Sequence, residues 1–297
     1  MNRGGKLIGA TLLVLLLVAG GLVASCAGSS QNKELVLGNI GWDENVAVSN
    51  LTKALLEDEL GYQNVRLKQA DVGLLFEGVG RGEMDAFQDV WTPNHKDYLS
   101  EVSDEVERLD PWYRGTTRFG IAAPSYMNIT SIDQLNGTDA REILGIEPGA
   151  VIMEKIPDDV VPKYGLKQDL VESGTPGMLY EVANRYKNEE DFAFIAWSPH
   201  WMNQRYDFDY LADPKGALGD LTKPSELSTI VNKNLAGSDP VAYAFLKAMK
   251  LDEEQVNDLE DVINEAGDPL QGARRWAKDN PDVVQPWIDA AKDAQQA

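Results

Sequence analysis

Apolar positions along the chain follow two alternating rhythms. Short runs at 34–40 (ELVLGNI), 65–69 (VRLKQ) and 86–90 (AFQDV) have the length and composition of strands. Between the first two, 46–60 (VAVSNLTKALLEDEL) repeats its apolar residues at helical spacing. Asp43 and Asn45 are its expected caps and Gly61 its expected stop. A shorter helix is predicted over 72–81. This β-α-β-α-β succession is what a doubly wound α/β lobe needs.

The rhythm then resumes. Strands are predicted at 118–123, 142–146, 169–172 and 191–197. Helices are predicted at 132–135 behind a Ser131 cap and at 178–187. Another runs from 147 to about 163, made irregular by Pro157 and Pro162. After Tyr210 come one strand at 228–231 and amphipathic helices near 240–249, 253–266 and 269–277. These last helices are expected to cover the first lobe. The expected organisation is lobe one from 34–120 and 211–297, and lobe two from 121–210.

The N-terminus follows a different pattern. Arg3 and Lys6 precede an uncharged apolar run at 7–23, and Val23-Ala24-Ser25 then precedes Cys26. A positive start, an apolar core and small residues before a cleavage point predict a secretory signal over 1–25. The tetrad resembles the bacterial lipobox, which implies lipidation of Cys26 and anchoring of an extracytoplasmic protein to the membrane. The competing reading is a plain membrane anchor, for which the run is at the short limit. Cys26 is the one cysteine of the sequence, so no internal disulfide can form. Residues 26–33 are small and polar, as a tether would be.

Composition narrows the partners. The formal net charge of −21 argues against nucleic acid or anionic lipid surfaces as partners, and 43% apolar residues suffice for a packed core. Enzyme signatures are missing from the sequence. It has no Gly-x-Ser-x-Gly elbow, no glycine-rich phosphate loop and no His/Cys metal cluster, so neither catalysis nor a cofactor is expected.

Tryptophan is the informative residue. Three of the seven follow one grammar, in which a strand ends, a Trp appears and turn residues follow. They are Trp42 in GWDEN, Trp91 in VWTPNH and Trp197 in AWSPHW. In open α/β sheets ligands lie beyond the carboxyl ends of strands, so three such Trp can converge on one crevice. Converging aromatic faces attract a cation that donates no hydrogen bonds, at about 2 kcal/mol per desolvated contact. The alternative for each is core packing or a loop plug. A zwitterion would also need its carboxylate met. The turn Gly145-Ile146-Glu147-Pro148-Gly149 offers backbone amides at a helix start. The two histidines, His95 and His200, each follow a candidate Trp closely, and either could donate to a carboxylate.

With GWDENVAVSN, DVWTPNHKDY, GIEPGA and AWSPHWM in hand, the chain resembles the glycine betaine/proline betaine substrate-binding proteins of ABC importers, of the OpuAC and ProX type. The resemblance implies a two-lobed periplasmic-binding-protein fold (type II) with the ligand cleft between lobes. It implies a Trp prism from Trp42, Trp91 and Trp197, and carboxylate donors from the Gly145 and Ile146 amides and from His95. Its implied partners are a small quaternary-ammonium ligand and the permease subunits of an ABC importer. One departure stands out: four positions separate Trp91 from His95 where family members have five, so His200 stays as the alternative. Choline or another methylammonium is the rival ligand, with Asp43 available to a hydroxyl. A ligand-sensing module of the same fold is the rival role.

Overall fold

The structure is a computed structural model that describes residues 34–296. The expected signal segment, Cys26 and the tether lie outside the described residues. The first part of the chain forms β1 (Glu34–Asn39), α1 (Asp43–Leu60), β2 (Asn64–Gln69), α2 (Val72–Gly80), β3 (Ala86–Thr92), α3 (Lys96–Glu101) and β4 (Val106–Arg108). The middle forms β5 (Arg118–Pro124), β6 (Glu142–Leu144), α4 (Val151–Lys155), α5 (Val161–Tyr164), β7 (Asp169–Val171), α6 (Thr175–Lys187), β8 (Ala193–Ser198), α7 (Met202–Arg205) and β9 (Phe208–Tyr210). The remainder forms β10 (Glu226–Asn232), α8 (Leu235–Ser238), α9 (Pro240–Ala248), α10 (Glu253–Ala266), α11 (Pro269–Asp279) and α12 (Pro281–Gln296).

The strands make two five-stranded mixed sheets, ordered β2-β1-β3-β10-β4 and β7-β6-β8-β5-β9. The two share a plan. Three parallel strands (β2-β1-β3 and β7-β6-β8) meet an antiparallel strand, β10 in one sheet and β5 in the other. The central strands β3 and β8 are buried along nearly their whole length, as strands covered on both faces must be. Sheet one draws its strands from both ends of the described chain and sheet two from the middle, so two connections pass between them. These are tied where the Thr117 hydroxyl donates to the Ser225 carbonyl at 3.1 Å and accepts from the Ser225 N–H at 2.6 Å.

Several elements differ from expectation for physical reasons. Helix α1 begins at Asp43, with Trp42 as its N-cap residue, so Asp43 and Asn45 lie inside the helix rather than capping it. Asp43 and Glu44 still suit the positive end of the helix dipole. Gly41 makes the tight entry at φ 97°, a conformation that favours glycine. The helix expected from 147 starts only at Val151, and Glu147-Pro148-Gly149 is the turn before it. Its expected irregularity is real, since a π-helical turn over Ile156–Val160 separates α4 from α5 at Pro157. Helices α10 and α11 pack on α1, and α12 packs on α9 and α1. No helix among the described residues is long and apolar enough to cross a membrane.

Candidate ligand-binding site

Four strand ends converge on one cavity. Trp42 follows β1, Trp91 lies near the end of β3, Ile146 follows β6, and Trp197 lies near the end of β8. All four line a cavity of about 350 Å³, together with Glu44, Asn94, His95, Phe119, Ala150 and Val151. The walls are mainly aromatic and aliphatic, and the three indoles are almost wholly buried, with 6%, 4% and 2% of their surface exposed.

Each indole is fixed by its N–H. Trp42 donates to Glu147 Oε2 at 2.9 Å, Trp91 to Asp89 Oδ1 at 2.9 Å, and Trp197 to Glu44 Oε2 at 2.8 Å. Glu147 is itself anchored, accepting from the Thr175 N–H at 2.7 Å and the Thr175 hydroxyl at 2.9 Å. With their N–H groups engaged by carboxylates, the rings are held by hydrogen bonds and packing together. Phe119 adds a fourth aromatic wall. It sits opposite Trp197 in the β5–β8 register, with its ring centroid 6.1 Å from that of Trp91.

The two histidines do different things. His95 Nδ1 accepts from the Trp91 N–H at 3.2 Å, so in the neutral ring the proton is on Nε2. Burial pushes His95 down to about 3, so the ring is a neutral donor at physiological pH. His95 lines the cavity. His200 does not. Its Nδ1 accepts from the Met202 N–H at 3.0 Å, its Nε2 lies 3.2 Å from Asp43 Oδ2, and its ring stands edge-on to Trp197 at 4.6 Å. Asp43 is likewise engaged away from the cavity, accepting from Trp201 Nε1–H at 2.8 Å. Burial raises the Asp43 carboxyl, but the contacts with His200 and Trp201 outweigh it and hold the group below its ordinary range.

The expected amides fare unequally. The Gly145 N–H is already used, donating to the Val171 carbonyl at 2.8 Å, and Gly145 is not a cavity residue. A side chain there would collide with Met153 Cε at 2.6 Å, so the glycine serves packing. Ile146 reaches the cavity, but its N–H points at Met153 Sδ, 3.3 Å away. Two further residues at the start of α4, Ala150 and Val151, also line the cavity. Val151 opens α4, where an N–H has no carbonyl within the helix to meet it.

Sequence reasoning passed over Glu44, Asn94, Phe119, Ala150 and Val151. A signal for Glu44 existed: with Val48, Leu51 and Leu55 it completes a buried helical stripe, so a carboxylate stood at a core position. Phe119 alternates with buried Ile121 in a predicted strand, but its partner across the sheet is not readable from one segment.

The family described as the substrate-binding domain of ABC-type glycine betaine transport systems, OpuAC, matches residues 33–279. The glycine betaine/carnitine transport binding protein GbuC of Listeria monocytogenes serotype 1/2a (strain 10403S) is 31% identical over 163 residues, 54% of this chain. The match spans about half (52%) of that relative's own length. Lactococcal OpuAC, in its closed-liganded conformation complexed with glycine betaine, superposes with a TM-score of 0.78 at 30% identity, covering 86% of this chain and 99% of that one. ProX from Borrelia burgdorferi shares the fold, with a TM-score of 0.79 at 23% identity over 88% of this chain and 99% of that one.

Proposed function

Because the chain belongs to the OpuAC family, the substrate-binding domains of ABC-type glycine betaine transport systems, we propose that it captures glycine betaine or a closely related quaternary-ammonium solute and hands it to an ABC importer. The observation that carries this reading is the convergence of Trp42, Trp91 and Trp197 on one cavity. Their faces, with Phe119, form a cage for a trimethylammonium group, whose charge lies under methyl groups and costs little to desolvate. The glycine betaine complex of lactococcal OpuAC supports the choice of ligand.

The other end of the ligand is a carboxylate. In this reading it meets the Nε2–H of His95 and the N–H of Val151, the donors the cavity offers in place of the Gly145 amide. Residues 34–120 and 211–297 form one lobe and 121–210 the other, and the ligand stabilises their closed arrangement. Bonds such as Trp42 to Glu147 and Trp197 to Glu44 would lock that closure. The pivot is the pair of connections joined by Thr117 and Ser225. Upstream, Cys26 carries the lipid that keeps the protein at the membrane surface.

Choline is the second reading, and two cavity residues favour it. Glu44 adds an acidic group to the wall, and Asn94 Oδ1 is buried without a donor, so a hydroxyl could satisfy it. Calorimetry decides between the two. Glycine betaine binding that weakens by roughly 30-fold in Trp42→Ala, Trp91→Ala and Trp197→Ala supports the cage, each contact being about 2 kcal/mol. His95→Ala should weaken betaine more than choline. Unchanged affinity in all three Trp variants refutes the cage.

A further inference from the structure

The cage rests on two acids that nothing in the capture of a cation by indoles requires. Glu44 comes from the first turn of α1 and Asp89 from the middle of β3, and both are fully buried at 0% exposure. Each gives one carboxyl oxygen to a cage indole: Glu44 Oε2 to Trp197 and Asp89 Oδ1 to Trp91. Each has a second oxygen, Glu44 Oε1 and Asp89 Oδ2, that is buried and receives no donor. The two carboxyls interact directly with each other. Two adjacent carboxylates in a dry site cannot both be charged without a large penalty, and two oxygens without donors add to it. One hydrogen held between the two carboxyls removes both difficulties.

We infer that Glu44 and Asp89 share a single proton beneath Trp197 and Trp91, that the remaining negative charge is the counter-charge of the ligand's ammonium group, and that ligand binding is thereby coupled to proton release. The inference rests on the quaternary-ammonium reading of the cavity and adds to it. Glu44 lines the cavity and Asp89 does not, so the charge reaches the ligand through Glu44. The affected indoles are those whose N–H groups the pair accepts. Burial agrees in direction: it pushes Asp89 up to about 7, and burial together with the charges of Asp89 and Glu260 pushes Glu44 well above the carboxylate range.

Other charged groups pack around the pair. Glu260, from α10, is also buried, with Oε2 accepting from the Trp201 N–H at 2.7 Å and Oε1 without a donor. Asp43 lies beside His200, Glu253 accepts from Ser198, and Asp261 follows Glu260 on α10. His95 faces the cavity but is held neutral by burial. The sign of the coupling follows. A cation beside the pair favours its ionised form, so the complex binds fewer protons than the free protein and the lost proton goes to solvent. Affinity therefore rises with pH, by at most about tenfold per unit for one proton.

Calorimetry of glycine betaine and choline with the mature protein between pH 6 and pH 8.5, in phosphate and in Tris, reads this directly. The expected result is affinity rising several-fold per pH unit and a binding heat that differs between buffers because protons are released. Glu44→Gln still accepts from Trp197 but cannot ionise. Its affinity should change less than twofold over the range, with heats equal in the two buffers, and Asp89→Asn should behave alike. Near-UV circular dichroism checks that the variants fold, and the wild-type measurement needs no variant. Equal heats and flat affinity in the wild type overturn the inference while leaving the ligand reading intact. So does a slope that survives Glu44→Gln or that His200→Gln abolishes instead. Absence of binding by both ligands at every pH overturns the ligand reading and the inference with it.

Discussion

The indole N–H of Trp197, on a strand of sheet two, donates at 2.8 Å to Oε2 of Glu44, in the first turn of the helix that follows the first strand of sheet one. The reverse bond runs from Trp42, on the sheet-one side, to Glu147 on the sheet-two side at 2.9 Å. Each half thus holds an indole of the other. In the proposed closure, assembling the aromatic walls and bringing the two halves together would be one event, because the bonds that orient the rings also join residues of the two sheet sides.

Glu147 is accordingly expected to matter for affinity although it is not a cavity residue. Glu147→Ala removes the acceptor for Trp42 Nε1–H and for the N–H and hydroxyl of Thr175. Leaving buried donors unpaired costs about 1–3 kcal/mol each. Glycine betaine affinity should fall by roughly tenfold or more in titration calorimetry. A change below twofold would count against closure through this bond.

Tryptophans outside the cavity should behave otherwise. Trp112, Trp276 and Trp287 are buried at 1%, 1% and 3% exposure but do not line it. Trp112 donates to the Gln88 carbonyl at 2.6 Å, and Trp276 to Asp258 Oδ2 at 2.7 Å. Trp112→Phe should lower stability by about 1–3 kcal/mol in denaturant titration, through the lost bond and the smaller ring. Its affinity should stay within about twofold of wild type. A large affinity loss with unchanged stability would show that the cavity is not the site.

Much of this was readable in the chain, and the limits have physical causes. The core strands and longer helices follow from apolar periodicity, and Trp42, Trp91 and Trp197 were legible because each lies at or just beyond the end of a strand. Strands β4 and β9 have three residues each, too few for any period to appear. Helix α12 was hidden by its prolines. Pro281 sits at the first position, where its missing N–H is harmless, and Pro286 lies inside the helix. That the Gly145 N–H is taken by the Val171 carbonyl, and that Gly145 packs against Met153, depends on segments too distant for one motif to reveal. Glu44 escaped because its role depends on Asp89 and Trp197, which come from distant strands.

Ligand-free stability should depend on pH in an unusual direction. The folded state pushes Glu44, Asp89 and Glu260 upward, chiefly through burial. A carboxyl raised in the fold contributes stability fully present below its unfolded value, near 4, and lost as pH rises through its folded value. Buried His95, pushed down to about 3, adds an opposite slope only below the unfolded histidine value near 6.5, so between pH 7 and pH 8.5 the melting temperature should fall, with each titrating group contributing at most about 1.4 kcal/mol per pH unit. The opposite contributions of Asp43 and Asp213, whose carboxyls lie below the ordinary range, are lost only in more acidic solution. Thermal melts across that window test it. A melting temperature that rises from pH 7 to pH 8.5 would contradict the buried-acid account.

Anchoring at Cys26 predicts a simple partition. Protein expressed with its first 25 residues should enter the detergent phase of a Triton X-114 separation, and Cys26→Ala should leave it in the aqueous phase. Wild type found wholly in the aqueous phase would remove the lipid anchor.

The cage itself is tested most directly by a methylation series. Glycine, sarcosine, dimethylglycine and glycine betaine share one carboxylate and differ only in how many N–H donors the methyl groups replace. Indole faces cannot accept those donors, and the N–H groups of Trp42, Trp91 and Trp197 are already engaged with the carboxylates of Glu147, Asp89 and Glu44. Affinity measured by calorimetry on the mature protein should climb with each methyl group, with glycine betaine tightest and glycine weaker by at least two decades. Glycine binding as tightly as glycine betaine would contradict the cage.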